Sequence, residues 1–404
     1  MVKNYGLLID GKWVENKKTL NVLNPFNQKK IASVSIASAA QIKIAIQNSQ
    51  YAFKKWSRIS VKDRSQILKN LFRIVKENKK SLSETITMES GKPISESMVE
   101  VDYGASFIEW AAEQSLGSYG KIFESPELDK KMFYIKKPVG VVAAITPWNF
   151  PLAMVTRKVA AAIAAGCSVI LKPSELTPLT ALKFGELSIE SGIPSGVFNI
   201  INGDAQLIGK LLTESSIVKK ITFTGSTKVG KLLMKNSSST VKNISLELGG
   251  NAPFIVFDDA NLDEALEGFI AAKFRNAGQT CISANRLFVN EKVFEKFQSM
   301  LVNRFKQLRV GNGFNDVDIG PLISDEALKK VESHIKDAEK KGAKLVFGGK
   351  RSDAGELFFE PTLVGNVNKQ MQIFKKENFG PIIPLVKFKS EKDLIELVND
   401  TEYG

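Results

Sequence analysis

The sequence predicts an α/β protein built on parallel sheets with helical crossovers, and three observations lead there. From Val139 onward, short apolar runs at Val141 to Ile145, Val169 to Leu171, Val197 to Ile201 and Ile221 to Phe223 alternate with helix-length segments. The same rhythm restarts after Glu247, with an apolar run at Phe254 to Phe257 and a helical segment from Asn261 to Phe274. The 404-residue length exceeds what one core serves, so two or three domains are expected.

Taken in order, Leu7 to Trp13 reads as a short strand and turn, and Asn24-Pro25-Phe26 as a second turn. Ser38 to Trp56 and Val61 to Met88 read as helices. In the second, Leu68, Leu71, Phe72 and Val75 recur at i, i+3, i+4 and i+7, and Gly91 with Pro93 marks its end. Lys131 to Lys136 alternates like a two-sided strand outside a buried sheet. Helices follow at Leu152 to Ala165 and Thr180 to Ser191, the latter closed by Gly192 and Pro194. In the last third, strands are expected at Leu287 to Val289 and Leu345 to Phe347, and helices from Ser324 to Lys341 and after Ser390. The strand ends are unusual in composition: Thr146-Pro147-Trp148-Asn149, Lys172-Pro173-Ser174-Glu175 and Thr224-Gly225-Ser226-Thr227. Ligands of parallel sheets bind at such ends.

Composition excludes several classes. With 43% apolar and 25% charged residues the chain is ordinary globular protein, and two cysteines, Cys167 and Cys281, make no disulfide framework. No run approaches about 18 apolar residues and no signal-like start is seen, so a cytoplasmic protein without membrane contact is expected. The net charge of +13 arises from lysines interleaved with acids along amphipathic helices, which argues for solvated faces and against nucleic acid. No metal is expected.

The chemistry concentrates in Ser245-Leu246-Glu247-Leu248-Gly249-Gly250 and Gly278-Gln279-Thr280-Cys281. A thiol with an ordinary pKa of about 8.5 is only a few per cent thiolate at neutral pH and needs a base. The single histidine, His334, stands in a charged helical run and reads as a solvated helix residue, which leaves the carboxylate of Glu247 as the candidate. Gly225 to Gly230 follows a strand and opens a helix, a place for a pyrophosphate. Lys172 and Glu175 are placed to meet a ribose, although Lys172-Pro173 also reads as a plain strand terminus. Asn149 by itself reads as a turn residue, and Arg157 and Arg275 as partners of surface acids.

Leu246 to Phe254 and Phe274 to Cys281, in this order and spacing, resemble the two active-site signatures of the aldehyde dehydrogenase superfamily. The resemblance runs from Ile9 to Gly404 and is strongest to its succinate-semialdehyde dehydrogenase branch. It implies an aldehyde dehydrogenase-like α/β fold: a Rossmann-type NAD-binding domain (residues 1–120 and 139–247), an oligomerisation arm (121–138) and an α/β catalytic domain (248–404). It further implies Cys281 as nucleophile, Glu247 as base for thioester hydrolysis, and the Asn149 amide with the Cys281 N–H as oxyanion donors. Ile145, Trp148, Lys172, Ser174, Glu175, Gly225, Ser226, Gly230, Leu248, Glu377 and Phe379 fall on positions that hold the dinucleotide. Arg157 and Arg275 match residues that bind a substrate carboxylate, as two guanidinium groups suit one carboxylate. The expected substrate is succinate semialdehyde, then glutarate semialdehyde. Glu175 repels a 2′-phosphate and favours NAD, with NADP partly accommodated by Ser174 and Lys172. A homodimer or homotetramer is implied.

Two departures stand out. Ser283 occupies the place of a second cysteine found in close relatives, so no disulfide switch is expected beside Cys281. Family chains also continue several dozen residues beyond the position of Gly404, so the chain reads as C-terminally truncated, with a non-catalytic nucleotide-binding remnant as the alternative function. An acylating dehydrogenase is disfavoured by Glu247.

Overall fold

The computed structural model describes residues 3–118 and 120–403. The chain divides into two compact units. The first comprises Met1–Val22, Lys30–Ile86 and Met98–Glu247; the second comprises Leu23–Lys29, Thr87–Ser97 and Leu248–Gly404.

The first unit holds a seven-stranded sheet. From edge to edge its strands are Asn243–Glu247, Val218–Thr224, Val141–Ile145, Ser168–Lys172, Phe198–Ile200, Leu7–Ile9 and Lys12–Val14. The first five pair in parallel, and the two N-terminal strands join antiparallel at the edge. The run Val141–Ile145 is apolar on both sides because helices cover both faces of a parallel sheet. Helix Ala153–Ala164 follows that strand, and Leu179–Glu190 follows Ser168–Lys172. Register fixes what the carboxyl ends bring together: Glu247 lies beside Thr224, and Ile145 between Phe223 and Lys172.

The expected helix from Val61 to Met88 is two helices, Val61–Glu77 and Lys79–Ser90. Asn78 interrupts them, its side chain amide and its backbone N–H both donating to the carbonyl of Ile74. Leu68, Leu71 and Val75 enter the core as their spacing requires. Ser38 and Gln41 form a reciprocal capping box at the start of Ala39–Trp56. The alternating segment after Lys131 becomes Met132–Tyr134, paired antiparallel with Lys121–Phe123. This ribbon exposes apolar side chains, Ile122 at 87% and Phe133 at 69%. Among the described residues no helix is long and apolar enough to cross a membrane.

The second unit holds a five-stranded sheet in the order Pro253–Val256, Arg286–Asn290, Ile382–Phe388, Thr362–Gly365 and Lys344–Phe347, parallel except for the last strand. Helices Leu262–Phe274 and Phe294–Phe305 pack on it through Phe269, Phe297 and Leu301 against Leu287, Val289 and Leu385. Burying a side chain of this size contributes roughly 1.5–3 kcal/mol. Asn261, Ser324 and Ser390 cap helices Leu262–Phe274, Asp325–Lys340 and Glu391–Asn399.

Candidate active site

Cys281 lies on the loop between helix Leu262–Phe274 and strand Arg286–Asn290 and is half-buried. The helix stops at Phe274 because the chain turns left-handed: Asn276, Ala277 and Gly278 have φ of 53°, 55° and 77°. The non-glycine residues pay about 1–3 kcal/mol each for that conformation, which persists only where surrounding structure imposes it. Gly278 admits no side chain, since a Cβ there would sit 2.4 Å from the carbonyl oxygen of Gly380.

Gly249 and Gly250 are explained in the same unit. A Cβ on Gly250 would lie 2.6 Å from the Cys281 carbonyl oxygen, and one on Gly249 would lie 2.8 Å from Glu377 Oε2. The Gly250 N–H donates to Glu377 Oε1 at 3.1 Å. The Cys281 backbone and the Glu377 carboxylate thereby meet at the Gly249-Gly250 turn. Burial raises the Glu377 carboxyl above its ordinary value, against the lowering effect of the Gly250 N–H, Lys330 and Lys273.

The segment carrying Glu377 and Phe379 rests on a buried amide network. Asn378 N–H donates to Asn285 Oδ1 (2.9 Å), and Asn378 Nδ2 donates to the Ile373 carbonyl (3.0 Å). Asn378 Oδ1 is then the acceptor from His334 Nδ1 at 2.8 Å, which assigns the proton to that nitrogen. This corrects the reading of His334 as a solvated residue: it is 4% exposed and burial lowers its pKa, so it is a neutral core donor. Phe379 itself has φ 54°.

In the first unit the candidates gather at the carboxyl ends of the parallel strands. Lys172 Nζ contacts Glu175 Oε1 at 2.6 Å, with Lys172 buried and Glu175 half-buried. Ser226 caps helix Thr227–Ser237 by accepting the Val229 N–H, and no acid stands in its first turn. A Cβ on Gly225 would meet the Phe223 ring at 2.5 Å, so the backbone enters the helix bare of side chain. Free amides, the helix dipole and the absence of a competing carboxylate suit a phosphate group. Gly230 is buried within the second turn. Trp148 and Asn149 stand in the turn after Ile145, and Asn149 is 4% exposed.

Arg157, on helix Ala153–Ala164, pairs with Glu247 at 3.3 Å, and both are substantially exposed. Its partner is thus an acid, as the residues alone suggested, but it is the candidate base. Exposed pairs contribute at most about 1 kcal/mol, so another carboxylate displaces Glu247 from Arg157 at small cost. Arg275 is half-buried at the end of helix Leu262–Phe274.

Two lysines went unnoticed in the sequence because each reads as a routine helix position. Lys158 Nζ donates to Thr222 Oγ1 at 3.2 Å and is lowered to about 8, chiefly by burial, then by Arg157. Lys273 is fully buried, its Nζ has no hydrogen-bond partner, and burial lowers it to about 7. An unfolded lysine keeps its proton to about pH 10.4. Between pH 7 and 10 the unfolded chain therefore binds more protons and stability rises with pH, whereas below pH 7 the cost of the buried charge is fully present. Lys273→Met is expected to raise Tm by about 3 °C or more at pH 6 and by less at pH 9, measured by thermal denaturation.

Residues 13–404 match the aldehyde dehydrogenase family. The mitochondrial succinate-semialdehyde dehydrogenase of Oryza sativa subsp. japonica is 50% identical over 400 residues, covering 98% of this chain and 76% of the relative. The NADP(+) succinate-semialdehyde dehydrogenase GabD of Escherichia coli is 47% identical over 98% of this chain and 83% of its own. A crystal structure of an E. coli NADP-dependent enzyme superposes with a TM-score of 0.98 at 46% identity, over 99% of this chain and 84% of that one.

Proposed function

The chain belongs to the aldehyde dehydrogenase family, and from that premise we propose that it oxidises succinate semialdehyde, or a similar short ω-oxo acid, to the carboxylate with a nicotinamide cofactor. The observation that carries the reading is the glycine-lined turn where the backbones of Gly250 and Cys281 and the carboxylate of Glu377 meet. The two relatives described above act, by their names, on succinate semialdehyde.

Cys281 attacks the aldehyde carbon as thiolate, and the oxyanion takes hydrogen bonds from the Asn149 side chain amide and the Cys281 N–H. The dinucleotide, when bound, supplies the hydride acceptor that turns the adduct into a thioester. Glu247 then takes a proton from water, whose oxygen adds to the thioester carbonyl and expels the Cys281 thiolate. The dinucleotide's holders are the helix start at Gly225, Ser226 and Gly230, the neighbouring Ile145, Trp148, Lys172, Ser174 and Glu175, and Leu248, Glu377 and Phe379. Glu175 makes NAD the first choice; because Lys172 compensates its charge, NADP is accepted more weakly. The exposed Lys121–Phe123 and Met132–Tyr134 ribbon is the proposed oligomerisation arm, and the first unit is the proposed nucleotide-binding domain.

Arg157 and Arg275 are the proposed holders of the substrate's distal carboxylate. Losing a charge-assisted hydrogen bond costs about 1.5–3 kcal/mol, so Arg157→Ala and Arg275→Ala should each raise KM for succinate semialdehyde roughly 10- to 100-fold. Their KM for an uncharged aldehyde of the same length should change little. Steady-state kinetics with both aldehydes test this, and equal changes for the two would remove the carboxylate assignment.

A further inference from the structure

We infer that Glu96 is a positioning residue for the nucleophile: its carboxylate, by accepting the backbone N–H of Asn276, holds the left-handed turn that presents Cys281. The inference rests on the reading of Cys281 as nucleophile. The Asn276 N–H lies 2.7 Å from Glu96 Oε2, across 180 positions of sequence. It belongs to the first of three consecutive left-handed residues, just past the end of helix Leu262–Phe274, and Asn276 is 2% exposed. A buried N–H at that point has no helical acceptor and must find one elsewhere. A half-buried carboxylate is a stronger acceptor than a carbonyl or an amide, and here it stands at the start of a turn the chain does not adopt spontaneously.

Glu96 is itself fixed. It lies in the first turn of helix Ile94–Leu116, whose Ile94 N–H donates to the Gly313 carbonyl at 2.7 Å. The preceding residues leave no slack: a Cβ on Gly313 would lie 2.4 Å from the Lys92 carbonyl oxygen, and one on Gly320 2.4 Å from that of Gly91. From Gly320 the frame continues through Pro321, whose carbonyl accepts Gln279 Nε2 at 3.3 Å, while Gln279 Oε1 accepts the Ile323 N–H at 3.0 Å. Gln279 Nε2 also donates to the Asn276 carbonyl at 3.0 Å. Glu96, Asn276, Gln279, Pro321 and the Gly91–Gly320 contact thus close a ring around the base of the loop. Cys281 is two residues beyond Gln279, so a relaxed turn displaces the sulfur.

The test compares Glu96→Ala and Glu96→Gln in the full chain. Misplacing a reacting atom by about 1 Å costs on the order of 100-fold, so Glu96→Ala should lower kcat for succinate semialdehyde by roughly that factor with KM nearly unchanged. Glu96→Gln keeps an oxygen acceptor and should restore kcat to within a few-fold of the parent. The rate of Cys281 alkylation by iodoacetamide, read by mass spectrometry, should change about 10-fold in the alanine variant and little in the glutamine variant. Equal kcat in all three proteins, or equal damage by Ala and Gln, would overturn the assignment. Should Glu96→Ala fail to fold by circular dichroism, Glu96→Asp, which withdraws the carboxylate by one methylene, replaces it in the same comparison. If the parent chain shows no Cys281-dependent aldehyde oxidation, the functional reading fails. Alkylation still decides the clamp, since unchanged Cys281 reactivity in the alanine variant contradicts it without reference to turnover.

Discussion

Cys281→Ser is expected to abolish aldehyde oxidation, lowering kcat by about 10⁴-fold or more while leaving the fold intact. A serine hydroxyl in that place has no histidine to deprotonate it, because the chain's only histidine is a buried donor to Asn378. Nucleophile removal in enzymes that act through a covalent intermediate commonly costs that much. The substitution exchanges sulfur for oxygen in a half-buried position, so thermal stability should move little. Cys167→Ser makes the opposite control. Cys167 is 2% exposed and its thiol is raised by burial, so that variant should keep kcat and lose stability. Steady-state rates and melting curves of both variants check the pair.

Glu247→Gln is expected to separate the two halves of the reaction. On the proposed mechanism a few per cent of the Cys281 thiol is thiolate at neutral pH even without a base, so the loss of Glu247 slows thioester formation without stopping it, whereas hydrolysis rests on Glu247. Removing a general base typically costs 10²- to 10⁴-fold. The variant should therefore give a burst of nicotinamide reduction of about one equivalent per active chain, followed by turnover slowed by roughly that factor. Unchanged steady-state turnover would remove Glu247 from the hydrolytic role. Lys158, buried beside Thr222 and within electrostatic reach of Glu247, is a second cation near this acid besides Arg157.

Much of the architecture was legible because its signals are local. The strand Val141–Ile145 and the caps at Ser38, Asn261, Ser324 and Ser390 lie where apolar runs and capping residues place them. Other elements were not. Helix Ile94–Leu116 buries Val101, Ala105, Ile108 and Ala112 along one face but also exposes Val99 and Trp110, and these outward apolar residues obscure the stripe in the sequence. Strand Ile382–Phe388 contains Pro384 and lacks alternation, and so resembles a loop in sequence. His334 did carry a signal: Val331, His334, Ile335 and Ala338 follow i, i+3, i+4 and i+7, and all four are buried. The lysines around it masked that face.

For the site, motif order singles out Cys281, Glu247 and Glu377 as candidates, but not what surrounds them. The reason for Gly249 and Gly250 is the approach of Glu377 and of the Cys281 carbonyl, which are distant in sequence. Glu96, the Asn285–Asn378 pair and Lys273 act through tertiary contacts that no spacing encodes.

The most direct test of the covalent mechanism is mass spectrometry of Glu247→Gln, quenched after mixing with succinate semialdehyde and NAD and then digested. The account predicts one succinyl group on the peptide containing Cys281, formed with one equivalent of reduced nicotinamide. Reduced nicotinamide without that adduct, or an adduct on Cys167 instead, would contradict it.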